Sequence, residues 1–196
     1  AAQRLYATLL MCLRGSVCLY QGEELGLPEA EVPFDDLQDP YGIEFWPEFK
    51  GRDGCRTPMV WTSDNQNGGF SAQRPWLPVS SVHLNMSVER QEQHSEALLH
   101  HYRRVISFRR EHPALAEGGL QQMEAEGDVL RFIRSGQTPS GKSETLYCAF
   151  NLSDRPATVS TPEGTWLQIG AEINSAAQND GTITLGPWQP CLMLKA

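Results

Sequence analysis

At 196 residues and 40% hydrophobic content, the chain has enough material for one or two packed domains. A net charge of −8 weighs against nucleic acid or an anionic membrane as partner, and favours an uncharged or polar small molecule. No run is apolar for long enough to span a bilayer.

The chain opens at Ala1 inside an amphipathic helical pattern; no signal peptide is expected, and this helix is expected to be cut into. Leu5, Tyr6, Leu9, Leu10 and Leu13 share one face of a helix over residues 1–14, and Gly15 is the expected stop. Val17-Cys18-Leu19-Tyr20 is a continuous apolar run, the pattern of a parallel strand covered on both faces. Residues 21–87 then show neither helical nor strand periodicity. They hold Phe34, Tyr41, Phe45, Trp46, Phe49, Trp61, Phe70 and Trp76 among prolines, glycines and acids, which argues for an ordered functional loop. Such large aromatics are expected to form the loop's own core, although Phe45, Trp46, Trp61 and Phe70 are also suited to stacking on a ligand ring.

Helical periodicity returns over residues 93–111, with Leu98, Leu99, Tyr102, Val105, Ile106 and Phe108 inward. Arg103, Arg104, Arg109 and Arg110 are expected on its solvated face. Past Gly118-Gly119, short β-type runs at 129–133, 145–150, 158–159, 165–169, 182–185 and 191–194 alternate with turn clusters, the signature of a small antiparallel β-sandwich. Five cysteines, Cys12, Cys18, Cys55, Cys148 and Cys191, form no CxxC pair and read as free, mostly buried thiols in a reducing compartment. His83, His94, His100, His101 and His112 lack zinc-ligand spacing and read as surface or helix-end residues. Neither a metal site nor a cofactor is expected.

Three motifs add to this order: GxxxLYQGEELGL from Gly15 to Leu27, DPYG from Asp39 to Gly42, and GRDGCRTPMVW from Gly51 to Trp61. Together they resemble the C-terminal part of an α-glucosidase of glycoside hydrolase family 13, in the oligo-1,6-glucosidase and maltose-cleaving bacterial branch. The resemblance implies that residues 1–117 are the end of a catalytic β/α barrel, comprising its seventh helix, eighth strand, a long active-site loop and the last helix. Residues 118–196 would be the β-sandwich. It also implies a cytoplasmic enzyme acting with retention on α-glucosidic oligosaccharides, and a nucleophilic Asp, an acid/base Glu and a third Asp upstream of Ala1. The chain alone should then be inactive. A transglycosylase or isomerase of trehalose-synthase or sucrose-active type is the alternative within the family, and a non-catalytic scaffold or binding protein the alternative outside it.

Retaining hydrolysis needs two carboxyls about 5 Å apart. Glu23 and Glu24 are adjacent, and at a strand end they would point in opposite directions, so they are rejected as that pair. They are expected to support the site loop through its backbone. Arg52 of the RD motif carries the substrate-binding role that the resemblance implies, because a guanidinium fork holds a carboxylate and a sugar hydroxyl at once. As a purely structural residue it would instead pair with Asp53 or Asp36. Arg56 and Asp53 are expected to brace the loop, and Glu29 to line the aglycone side. The oligomeric state stays open.

Overall fold

The computed structural model describes residues 1–171, 173, 176–179 and 181–196. Its helices are α1 (Ala2–Cys12), α2 (Pro40–Glu44), α3 (Ser81–Leu84), α4 (Val88–Glu92), α5 (Leu98–Glu111) and α6 (Pro113–Ala116). The strands follow: β1 (Gly119–Glu126), β2 (Val129–Gln137), β3 (Ser143–Asn151), β4 (Ala157–Ser160), β5 (Trp166–Gln168), β6 (Ala177–Asn179), β7 (Thr182–Leu185) and β8 (Pro190–Lys195). Residues 1–18 with 101–196 make one unit, and residues 19–100 the other.

In the first unit the strands form two antiparallel sheets, ordered β1-β2-β3-β8-β5 and β4-β7-β6. β3 is buried on both faces from Leu146 onward. Tyr147 and Ala149 join Val159, Ile183, Leu185 and Met193 in an apolar cluster fed by both sheets. Leu146, Cys148 and Phe150 turn to the opposite face by the period of two, where α1 and α6 pack.

Two arginines tie α1 into this unit. The helix ends at Cys12, short of the expected Gly15 stop, because Leu13 is already extended at φ −68°, ψ 157°. The carbonyls left over at its end are met by Arg109, which donates to Met11, Leu13 and Gly15, and by Arg134, which donates to Cys12. Arg109 is therefore a clasp and not part of a solvated face. Arg134 is fully buried and among the described residues has no carboxylate partner; its remaining N–H groups go to the carbonyls of Leu115, Gly118 and Gly119. The buried side of α1 is Leu5, Ala7, Thr8, Met11 and Cys12, whereas Tyr6, expected inward, is exposed.

Other expectations are also corrected. Residues 16–20 form no strand, and no parallel pairing occurs among the described residues; a parallel strand depends on neighbours that hydrogen-bond its edges. α5 starts at Leu98 rather than Gln93, the preceding residues being turns. β1 and β6 went unforeseen. β1 is a polar edge strand, exposed along nearly its whole length, so no alternation of apolar residues marks it. Cys12, Cys148 and Cys191 are buried free thiols, but Cys18 and Cys55 are exposed.

In the second unit aliphatic residues supply the core. Leu25, Met59, Val60 and Leu99 form one cluster and Val32, Leu37 and Leu77 another, with Trp46 against the latter. Most of the aromatics expected to be that core lie outside it: Phe34, Tyr41, Phe45, Phe49, Trp61, Phe70 and Trp76 are all exposed.

Candidate functional site

The RD loop is organised by a carboxylate from elsewhere in the unit. Asp39 caps α2: its Oδ1 accepts from the Tyr41 N–H at 3.1 Å, and Pro40 follows at the first helical position, where its missing N–H costs nothing. Two glycines let the loop approach this cap. A Cβ on Gly42 would sit 2.7 Å from the Lys50 carbonyl, and one on Gly51 would sit 2.9 Å from Gly42 Cα and 3.0 Å from Asp39 Cβ. Gly51 also has φ +74°.

The approach places Asp39 Oδ2 beneath the loop, where it accepts from the Arg52 N–H at 2.9 Å, Arg52 Nε at 3.3 Å and Arg56 Nη2 at 3.2 Å. Asp53 returns the connection. Its Oδ2 accepts from the backbone N–H groups of Gln38 and Asp39 at 2.6 and 2.8 Å, and its Oδ1 from Arg56 Nη2 at 2.9 Å. Both carboxylates are buried. Burial by itself would raise the pKa of Asp39, but the N–H groups of Arg52 and Tyr41 and the Arg52 guanidinium outweigh it and hold that pKa below the ordinary carboxylate value.

The two arginines are unlike. The Arg56 side chain, 32% exposed, bridges both carboxylates and lies 5.5 Å from the Trp76 ring centroid. That of Arg52 is 69% exposed and anchored only through Nε, so among the described residues its Nη groups have no hydrogen-bond partner. Its ion partner is Asp39, not Asp53 or Asp36; Asp36 pairs with Arg74 at 2.7 Å.

The other predicted residues lie around this loop. Glu23 Oε2 accepts from the Tyr20 N–H at 2.8 Å and Glu24 Oε2 from the Gly22 N–H at 2.9 Å, so both carboxylates are engaged with local backbone. Glu29 is exposed and lies against Gly54, where an added Cβ would come 2.6 Å from its Cγ. It lines a hollow of about 280 Å³ with Glu48, Phe49, Lys50 and Gly51.

Sequence reasoning missed three polar residues. Asp39 was visible as an Asp-Pro helix start, but the residues it would cap across the loop were not. His83 and His101 are buried and not at the surface. His83 Nε2 lies 2.7 Å from the Pro28 carbonyl, which can only accept, so Nε2 carries the proton and Nδ1 faces the Thr57 hydroxyl at 3.4 Å. Gln21 adds a bond to the Thr57 carbonyl at 2.8 Å. His101, in the other unit, donates through Nε2 to the Arg4 carbonyl at 2.9 Å beside Thr8 Oγ1, and burial pushes its pKa down to about 4. Among the described residues no three His, Cys, Asp or Glu side chains are grouped to hold a metal, and no helix is long and apolar enough to cross a membrane.

Residues 1–118 match the family described as "Alpha amylase, catalytic domain". The chain belongs to this α-amylase family, glycoside hydrolase family 13. It is similar to a probable α-glucosidase of Rhizobium meliloti (strain 1021), 54% identical over 162 residues, which are 83% of this chain and 28% of that protein. It is also 29% identical over 167 residues, 75% of this chain, to an oligo-1,6-glucosidase of Halalkalibacterium halodurans, of which they cover 29%. The crystal structure of the α-glucosyl transfer enzyme XgtA superposes with a TM-score of 0.89 at 43% identity, covering 100% of this chain and 36% of that one. The chain thus spans under a third of the two curated relatives.

Proposed function

We propose that this chain is the C-terminal part of a cytoplasmic, exo-acting, retaining α-glucosidase that hydrolyses α-glucosidic bonds in short oligosaccharides. Residues 1–117 are then the end of its catalytic β/α barrel and residues 118–196 its β-sandwich. The names of the relatives support the reaction class. The observation that carries the reading is Arg52, whose backbone N–H and Nε rest on the buried Asp39 while its Nη groups stay open. A guanidinium held in this way keeps its charge and can donate to two hydroxyls of one sugar ring with little further ordering. Glu29 lines the aglycone side, and Glu23, Glu24, Asp53 and Arg56 support the loop. The attacking Asp, the acid/base Glu and the third Asp come from the rest of the longer protein, so the purified chain turns over no sugar.

The test is made on a longer protein that contains this chain and the barrel before it. Arg52→Ala should lower kcat/KM on maltose or isomaltose by about 100-fold or more, while the fold is kept. Unchanged kinetics would remove Arg52 from the site. A second reading is favoured by the similarity to an α-glucosyl transfer enzyme: the sugar passes to an acceptor hydroxyl rather than to water. Product analysis on maltose separates the two, because hydrolysis yields only glucose and transfer yields new oligosaccharides.

A further inference from the structure

In the β-rich unit the larger sheet has five strands and the smaller three, so the second layer leaves part of the first uncovered. There, a hollow of about 580 Å³ is lined by β1, β2, β3 and the segment 160–163. This lies within the range of roughly 300–1,000 Å³ usual for small-molecule sites. The register shift between Gln121 and Glu124, with Gln122 at φ 50°, turns the β1 edge at this wall and sets two side-chain amides into the lining.

Two further features define its chemistry. The lining carries two charges of each sign, Glu124 and Glu163 against Arg131 and Lys195; Arg131 pairs with Glu124 and with Glu126 beside the hollow, each at 3.0 Å, and Lys195 Nζ lies 5.9 Å over the ring of Trp166. Two buried hydroxyls of the lining are under-used: Thr161 Oγ1 has no hydrogen-bond partner among the described residues, and Tyr147 Oη meets only the Arg131 guanidinium, outside ordinary hydrogen-bond geometry. Tyr147 is 3% exposed, and its phenol, which burial pushes up to about 12, stays protonated as both donor and acceptor. Buried hydroxyls are normally satisfied, so the wall presents unused hydrogen-bonding capacity.

We propose that this hollow is a carbohydrate-binding site for a neutral, polyhydroxylated ligand, a short α-linked gluco-oligosaccharide. A lining with equal numbers of positive and negative groups disfavours an ionic ligand, and amides, hydroxyls and a fixed indole are the groups that bind sugars. The geometry asks for a neutral polyol; the choice of an α-glucosidic chain rests on the function proposed above.

The test is ¹H–¹⁵N NMR of the 196-residue chain titrated with maltotriose, with cellotriose as the β-linked control. Shifts should cluster at Gln121 to Glu124, Arg131, Thr145 and Thr161, with a Kd on the order of 1 mM. Tyr147→Phe and Thr161→Val, which keep side-chain shape, should each weaken binding about tenfold. No shifts up to roughly 50 mM, equal response to both sugars, or insensitivity to both hydroxyl variants would overturn the proposal. Such a failure leaves the glucosidase reading standing, since that reading is tested by turnover of the longer protein.

Discussion

Arg52 and Arg56 are four residues apart in one motif, yet their side chains are held to different degrees, and Asp39 accounts for the contrast. Arg56 is fixed by two buried carboxylates, whereas Arg52 shares only one of their oxygens. Asp39→Asn keeps the shape but removes the charge beneath both. In the longer protein we expect kcat/KM to fall about tenfold or more, with partial retention that Asp39→Ala lacks. Because the folded-state pKa of Asp39 is depressed, its contribution is present above the unfolded value of about 4 and is lost as pH falls through the lower folded value. His101 behaves differently. Its folded pKa of about 4 lies below the unfolded value of about 6.5, so the unfolded chain binds the extra proton between them. Stability should therefore decline from about pH 6.5 to pH 4 and stay level above; unfolding midpoints across that range, against His101→Gln, check this. The sequence disclosed Arg52, Asp53 and Arg56 because they are adjacent in one motif. It did not disclose their connection to Asp39, which depends on the close passage of Gly42 and Gly51.

At the scale of elements, the loop over residues 21–87 is held by glycine contacts, short capped turns and two aliphatic clusters in place of long helices or ladders. Gly51→Ala would require a Cβ 2.9 Å from Gly42 Cα at a positive φ, so we expect about 1–3 kcal/mol of destabilisation, seen by denaturant titration, together with loss of the Arg52 anchor. Arg134→Met tests the other unit. It would leave the carbonyls of Cys12, Leu115, Gly118 and Gly119 without their donor, at a cost of about 3 kcal/mol or more. The β-rich region was legible where strands alternate or run apolar, as in β2, β3 and β8. β1 was not, because an exposed edge needs no apolar face. The run at 17–20 was legible in composition but not in pairing, since pairing belongs to its neighbours.

At the scale of the whole molecule, the family is carried by the first 118 residues and the reaction by groups that must meet Arg52. The α-amylase family follows from the match over residues 1–118. The reaction follows only if carboxylates from the rest of a longer protein meet Arg52, because here Glu23 and Glu24 are engaged with local backbone. The most direct measurement is turnover of maltose and isomaltose by that longer protein, with Arg52→Ala alongside. Hydrolysis of at least one sugar with retention is expected, with a loss of about 100-fold or more in kcat/KM for the variant. A folded protein that turns over neither sugar, or a variant as active as its parent, would contradict the α-glucosidase reading and the role of Arg52.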